Sequence, residues 1–439
     1  MPVTSLSGFP ELLPAESFVE LRVLDLLRET FELHGFAPLR TRAAEPLEHL
    51  LRKGEIDKEV YVLRRLQADD DSGDSGLGLH FDLTVPFARY VLDNAGHLEF
   101  PFRRYQIQTV WRGERPQSGR FREFTQADID VVGRGTLAFH HDVEVARVMA
   151  EALGRLEFLP PLRLQVNNRK LVEGFARGVG ATDVAAVLRA IDRLDKVPAA
   201  VVAAELRDVA GLGDEQAAAC LRLADIRTAD TSFVERVRGL GVGDDLLDTG
   251  LAELAAVIEG CADIRGVTVE ADLRIARGLD YYTGTVFETR MAGYESLGSI
   301  CSGGRYDALA SDGRATYPGV GISLGVTRLL VPLLADGAVA GSRPVPSAVL
   351  VAVPGEADRA ACDALAQRLR ARGIATEVAA SPQKFGKQIR YAERRGIPFV
   401  WFPGEPHEVK DIRSGEQVHA DPDTWTPPDD DRHPGVISR

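Results

Sequence analysis

Two alternating stretches constrain this chain more than any other feature. "YQIQTVWRGE" (Tyr105–Glu114) and "GRFREFTQADIDVVG" (Gly119–Gly133) read as β-strands, because successive side chains on a strand point to opposite faces. "RPQSG" between them reads as the five-residue loop of a hairpin. On the second strand, one face carries Phe121, Glu123, Thr125, Ala127, Ile129 and Val131. The other carries Arg120, Arg122, Phe124, Gln126, Asp128 and Asp130. On the first strand, Arg112 and Glu114 share a face. A face running from cations through an aromatic ring to carboxylates has two readings. One is the solvated side of an amphipathic hairpin with cross-strand ion pairs. The other is a site, with guanidinium forks for phosphate oxygens, a ring for stacking, and carboxylates plus an amide for an amine. The pattern leaves both open.

The chain has 439 residues, which is too long for one ordinary core and implies two to four domains. Hydrophobic residues make up 45% and charged residues 27%, as in a soluble globular protein. Apolar runs are short and broken by charges, so no membrane span is expected. The start "MPVTSLSGFPELLP" lacks a basic segment followed by an apolar one, which argues against secretion. Four cysteines, Cys220, Cys261, Cys301 and Cys362, lie far apart. Neither zinc spacing nor a disulfide framework is visible, so a reduced cytoplasmic setting is expected. His140 and His141 are adjacent and point apart, and no metal site is read from them. The net charge of -13 weighs against a nucleic-acid coat but leaves room for a local basic patch.

Residues 16–36 read as a helix, with Phe18, Leu21, Val23, Leu24, Leu27, Phe31 and Leu33 at helical spacing. "DDDSGDSG" (Asp69–Gly76) reads as a flexible loop between two strands. Residues 160–262 are rich in Ala, Leu, Val, Asp and Arg with helical periods, and read as a helical insertion. "ADGAVAGSRPVPS" (Ala335–Ser347) is the expected domain boundary. Buried strands then alternate with helices, which implies a small α/β domain with a mostly parallel sheet over about 345–422. The acidic, Pro-rich residues 423–439 read as a flexible tail.

Three further segments carry candidate chemistry. In "IARGLDYYTGTVFET", Arg277 precedes Tyr281 and Tyr282. On a strand one tyrosine would be core and the other free to meet a ligand, although paired tyrosines are also simply good β-formers. "SGGRYD" and "GVGISLGVTR" hold glycines that permit close backbone approach or simply make turns. Neither matches a P-loop or a dinucleotide fingerprint. "KFGKQIRYAERRG" (Lys384–Gly396) would as a helix place Phe385, Ile389 and Ala392 on one face. Lys384, Lys387, Tyr391 and Arg394 would fall on another. That second face suits RNA phosphates and stacking, or plain solvation.

Together these segments resemble the histidyl-tRNA synthetases of class II, from about Phe9 to Asp421. "WRGERPQSGRFREFTQADIDVVG" looks like motif 2, "GVGISLGVTRLL" like motif 3, and "ARGLDYYTGTVFE" like a histidine-specific motif; "FDLTVPFARY" and "NNRKLVEG" also match. The resemblance implies an α+β fold: an antiparallel-sheet catalytic core (1–159 and 263–335), the helical insertion, and a C-terminal α/β anticodon-binding domain. It implies activation of L-histidine by ATP with Mg²⁺, transfer to the 3′ end of tRNA(His), and a homodimer. It assigns Arg112 and Arg277 to the reacting phosphate. Asp82, Thr84 and Gln126 go to the substrate amine, Asp130 and Tyr282 to the imidazole, and Tyr306 to the histidine pocket. Phe124 goes to adenine with Glu114 near it, and Arg120 and Arg328 to the distal phosphates. Gln117, Lys384, Lys387 and Arg394 are assigned to tRNA. No residue is identified as a Mg²⁺ ligand. Three positions depart from the family's pattern: Arg42 replaces a usual proline, Thr327 a frequent Glu, and His80 a frequent Arg. The alternative within this resemblance is a non-catalytic paralogue that regulates histidine biosynthesis, a type that typically lacks the C-terminal domain.

Overall fold

The computed structural model describes residues 6–51, 59–66, 76–275, 281–311 and 313–438. The chain divides into two compact units, Met1–Pro10 with Leu24–Pro332 and Glu11–Val23 with Leu333–Arg439. The expected helix 16–36 forms at Pro14–Leu33. It stops there because Gly35 takes φ +76° and Phe36 N–H returns to Phe31 O at 3.0 Å, the left-handed ending that glycine favours.

The first unit is built on a nine-stranded sheet. In chain order its strands are β1 (Ala37–Pro38), β2 (Phe102–Trp111), β3 (Glu123–Val132), β4 (Leu162–Asn168), β5 (Arg227–Thr228), β6 (Val267–Asp272), β7 (Thr285–Met291), β8 (Cys301–Ser311) and β9 (Thr316–Gly325). The spatial order is β1-β2-β3-β9-β8-β7-β4-β6-β5. Neighbours run antiparallel except the β1/β2 and β4/β6 pairs, which are parallel. The α+β core is therefore as expected.

The hairpin is shorter than its alternation suggests, because β3 begins at Glu123 and not at Gly119. Arg122 and Glu123 both donate their amides to Gly8 O, at 2.7 and 3.1 Å. The N-terminal segment thus takes the bonds that would have lengthened the ladder. The expected insertion 160–262 also needs correction. Its first segment, Leu162–Asn168, is an interior strand of the main sheet, paired with β7 and β6. Its alternation is hidden because the strand is buried on both faces. Helices do fill most of the rest, from Arg169–Gly178 to Asp245–Gly260. The loop expected at Asp69–Gly76 lies, except for Gly76, outside the described residues. The strands flanking it, Val62–Leu63 and Leu77–Leu79, pair with each other.

The second unit has the expected α/β pattern. Thr376–Val378, Val349–Val351 and Phe399–Phe402 run parallel, and Glu408–Asp411 and Gln417–His419 extend the sheet antiparallel. Helices Arg359–Ala371 and Phe385–Arg395 accompany it. The flexible tail does not hold as expected. Trp425 packs edge-on against Phe399 and Trp401 at 5.3 and 5.4 Å. Asp431 pairs with Arg413 at 2.7 Å, and Val436–Ser438 pairs antiparallel with Val339–Gly341. The acidic composition concealed a carboxylate with a partner, and the prolines flank the anchoring aromatic. Among the described residues no helix is long and apolar enough to cross a membrane.

Trp425→Ala should destabilise this unit by about 2 kcal/mol, below the range of about 3–5 kcal/mol for a fully buried Trp because the ring is only half-buried. Urea unfolding followed by circular dichroism reads it. An unchanged midpoint would restore the flexible tail.

Candidate active site

The polar side of β3 belongs to a continuous face. The register sets Gln106 opposite Asp128 and Gln108 opposite Gln126 on β2. On the other flank it sets Ser323 opposite Asp128, Gly321 opposite Asp130 and Gly325 opposite Gln126. Ser302 lies opposite Ser323 one strand further on. Directly opposed residues of antiparallel strands share a side, so all of these project one way. Gln126, Asp128 and Asp130 are 7%, 3% and 5% exposed. That end of the hairpin is therefore not a solvated face, whereas the outer end, at Arg120, is half-exposed.

A cleft opens over the outer half. Arg112, Glu114, Arg120, Phe124, Gln126 and Arg328 line it, together with Ser302, Ser323 and Gly325. The Arg112 guanidinium sits 5.2 Å from the Phe124 ring centroid, and its Nε donates to Phe81 O at 2.9 Å. Arg120 pairs with Glu114 at 3.2 Å, and Arg328 donates to Leu297 O at 2.6 Å. Arg112 also stands 4.0 Å from Glu114, so two of the three guanidinium groups lining the cleft meet its carboxylate. Gln126 donates through Nε2 to Ser323 Oγ at 2.5 Å, and its Oε1 has no hydrogen-bond partner among the described residues.

The inner half is buried. The Tyr306 hydroxyl donates to Asp130 Oδ1 at 2.7 Å, and Tyr281 stacks on Tyr306 with centroids 5.8 Å apart. Burial, then the nearby carboxylates Asp130, Asp128 and Asp82, push the Tyr282 phenol above its ordinary range. Burial and then Asp130 do the same to Tyr306. Asp82 accepts from Val85 N at 3.0 Å at the start of the helix Thr84–Asn94, whose first residue, Thr84, is half-buried. Tyr281 and Tyr282 precede β7 and are not on it, so their roles follow from a loop and not from strand parity. Arg277 lies outside the described residues.

Glycines on β8 and β9 make room for this half. A Cβ on Gly321 would lie 2.0 Å from Asp130 Oδ1, one on Gly319 2.3 Å from the Tyr306 ring, and one on Gly304 2.7 Å from the Tyr282 ring. These residues sit within paired strands, which settles their purpose in favour of close approach over turns.

The departures have local explanations. The Thr327 hydroxyl accepts from Thr125 N at 2.8 Å, tying β3 to the segment after β9. His80 stacks on Trp111 at 5.6 Å and hydrogen-bonds Thr109 O at 2.8 Å, while burial lowers its pKa. Arg42 pairs with Glu45 at 2.8 Å, and Arg89 meets the same carboxylate at 2.9 Å. Among the described residues no group of three or more His, Cys, Asp or Glu could hold a metal. Glu114 is the one carboxylate lining the cleft there. The side chains present do not form an oxygen cage for Mg²⁺, which in any case prefers phosphate and water ligands.

In the second unit, Lys384, Lys387 and Arg394 are exposed on or beside the helix Phe385–Arg395. Gln388, which sequence patterning passed over, fixes that helix by bonding both Val353 N and Val353 O at 2.9 Å. Phe385 is 40% exposed and meets Phe402 edge-on, so it is less of a core residue than its spacing implies. Gln117 is at the hairpin tip, where its amide donates to Arg120 O at 3.3 Å.

An antiparallel sheet with an arginine-lined cleft at one end of a strand face and a buried Asp–Tyr pair at the other is the arrangement of a class II ligase domain. The histidyl-tRNA synthetase family model matches residues 8–329, and an anticodon-binding domain model matches residues 348–423. Histidine–tRNA ligase of Cutibacterium acnes is 60% identical, with 98% of each chain covered. That of Micrococcus luteus is also 60% identical, again over 98% of both. The crystal structure of histidyl-tRNA synthetase from a Nostoc species superposes with a TM-score of 0.84 at 34% identity, covering 96% of this chain and 97% of that one. The chain belongs to the histidyl-tRNA synthetase family.

Two outcomes test this geometry. Gly321→Ala should abolish histidine-dependent activity while leaving a folded protein, because the new methyl occupies the Asp130 position; near-native activity contradicts the packing. Asp128 is pushed up to about 7 from 3.8, by burial first, with Asp130 and Asp82 adding and Arg104 and Ser323 opposing. Its folded value is raised, so folding favours the protonated acid. The cost of ionisation is absent below about pH 4 and complete above about pH 7. Asp128→Asn should therefore raise Tm increasingly across that window and by a constant amount above it. A gain that shrinks with rising pH refutes this.

Proposed function

We propose that this chain activates L-histidine with ATP and transfers the histidyl group to the 3′ end of tRNA(His). The observation that carries the reading is the order of groups along one sheet face, from Arg112 and Phe124 at the open cleft to Asp130 at the buried end. In the first step a histidine carboxylate oxygen bonds to the α-phosphorus of ATP, the bond to the β-phosphate oxygen breaks, and pyrophosphate leaves. Negative charge grows on the phosphoryl oxygens. Cations fixed there before the reaction stabilise the transition state more than the ground state, and Arg112 and Arg277 are assigned that role. Phe124 stacks on adenine with Glu114 beside it, and Arg120 and Arg328 hold the distal phosphates.

At the other end Gln126, Asp82 and Thr84 receive the α-amine. The unpartnered Oε1 of Gln126 supports this, because an ammonium has donors and no acceptor. Asp130 and Tyr282 meet the ring nitrogens, and Tyr306 completes the pocket. A wrong amino acid offers no ring N–H at these fixed buried positions, which is the strong form of discrimination. Mg²⁺ accompanies the nucleotide phosphates. In the second step the terminal tRNA hydroxyl attacks the histidyl carbonyl carbon and AMP departs. Gln117, Lys384, Lys387 and Arg394 face the tRNA. The protein works as a cytoplasmic homodimer, with 345–422 as the anticodon-reading domain. The regulatory-paralogue alternative is not favoured, since the chain retains that domain.

Histidine-dependent exchange of pyrophosphate into ATP tests the reading, and folded protein with no exchange at millimolar histidine overturns it. Arg112→Ala and Arg277→Ala should each lower adenylate formation on the order of 10²-fold. A loss under about threefold removes that residue from the chemistry.

A further inference from the structure

Arg104 lies on β2, one residue before the stretch whose alternation is legible, and no role described above uses it. It is fully buried. Nη2 stands 2.6 Å from Asp130 Oδ2 and 4.0 Å from Asp128. Nη1 donates to Gln106 Oε1 at 3.3 Å. The guanidinium carbon lies 4.2 Å from the Phe87 ring centroid. Gln106 is itself held, donating to Thr41 Oγ1 and to Gln108 Oε1, both at 2.9 Å. The guanidinium is therefore fixed by a ring and by two neighbours on the sheet face.

The consequence falls on Asp130. Arg104 Nη2 forms a close ion pair with its Oδ2, without hydrogen-bond alignment, and Tyr306 donates to its Oδ1. Gly321 gives the carboxylate the space it occupies. A carboxylate tethered through both oxygens keeps one orientation. An Asp without the cation would rotate about χ2 and leave two neighbouring buried carboxylates, Asp128 and Asp130, with no shared counter-charge.

Resting on the reading that the histidine ring binds at Asp130, we infer that Arg104 is a positioning residue for imidazole recognition. It orients Asp130 so that a lone pair meets a ring N–H at fixed geometry. It touches neither substrate, and it acts on one end of the site only. The ATP-end arginines contact other groups, Phe81 O for Arg112 and Leu297 O for Arg328.

The test is pyrophosphate exchange by Arg104→Gln and Arg104→Lys, with KM measured separately for histidine and ATP. Arg104→Gln should raise the histidine KM about tenfold or more, since small displacements of a recognition group are costly, with the ATP KM within about twofold. Arg104→Lys should recover part of that loss, because it restores the charge but not the fork. A histidine KM within about twofold in Arg104→Gln, or both KM values rising together as for a merely structural residue, overturns the inference. If Arg104→Gln does not fold, Arg104→Lys decides by the same criterion. The reading beneath it fails differently: the unsubstituted protein would then show no histidine-dependent exchange at all.

Discussion

The contact between Asp130 and the strand beside it governs how this molecule can be built. The carboxylate lies where a Cβ of Gly321 would be, 2.0 Å from the position it would take. Three strands must keep their register within one residue for that to hold, because a slip turns every side chain to the other face. Gly319 and Gly304 repeat the arrangement for Tyr306 and Tyr282. The missing side chains turn the middle of the sheet into a recess within the β8/β9 ladder, which runs in register from Cys301–Leu324 to Tyr306–Gly319 before it shifts. Glycine weakens a strand interior. Here the flanking ladders with β3 and β7 offset that cost.

The buried half of the site is polar in a sheet interior, so charge has to be balanced locally. Arg104 pairs closely with Asp130 at 2.6 Å and stands 4.0 Å from Asp128, and removing one partner of the buried Arg104–Asp130 pair typically costs about 3–5 kcal/mol. The balance is incomplete at Asp128, whose Oδ1 lacks a hydrogen-bond partner among the described residues and whose pKa is raised, by burial first. Strain of this kind is tolerated where function needs a fixed group. The outer half differs in kind. Arg120 is half-exposed, so its attraction for phosphate is screened by water until a ligand covers it.

What the sequence revealed follows from which interactions are local. Period-2 counting placed Phe124, Gln126, Asp128 and Asp130 on one face, and they share it. Helical periods located most of the insertion, and the strand–helix alternation after Ser347 located the second unit. Counting could not supply partners far along the chain. Ser323 is 197 residues from Gln126, and Gly8 ends the hairpin ladder from another segment. Arg104 escaped because "FRRY" shows no alternation of its own. Leu162–Asn168 escaped because a strand covered on both faces loses the pattern that identifies strands. Residues 423–439 escaped because acidic, Pro-rich composition averages over the few contacts, at Trp425 and Asp431, that hold them.

The two halves of the site also divide the labour of selection. In the proposed reading, an adenine on Phe124 and phosphates on the arginines would be recognised by stacking and charge, which many nucleotides share. The inner recess, with Asp130 held by Tyr306 and Arg104, would select by hydrogen bonds at fixed positions, which far fewer ligands can meet. Gln126 lies where the halves join, with its amide N–H on Ser323 and its carbonyl oxygen open. A substrate amine placed there brings the carboxylate of the same molecule toward the cleft that holds the arginines. In the proposed reading, recognition at the buried end would thus set the position of the reacting oxygen at the open end, which is how a pocket selective for a side chain gains control over a reaction several bonds away.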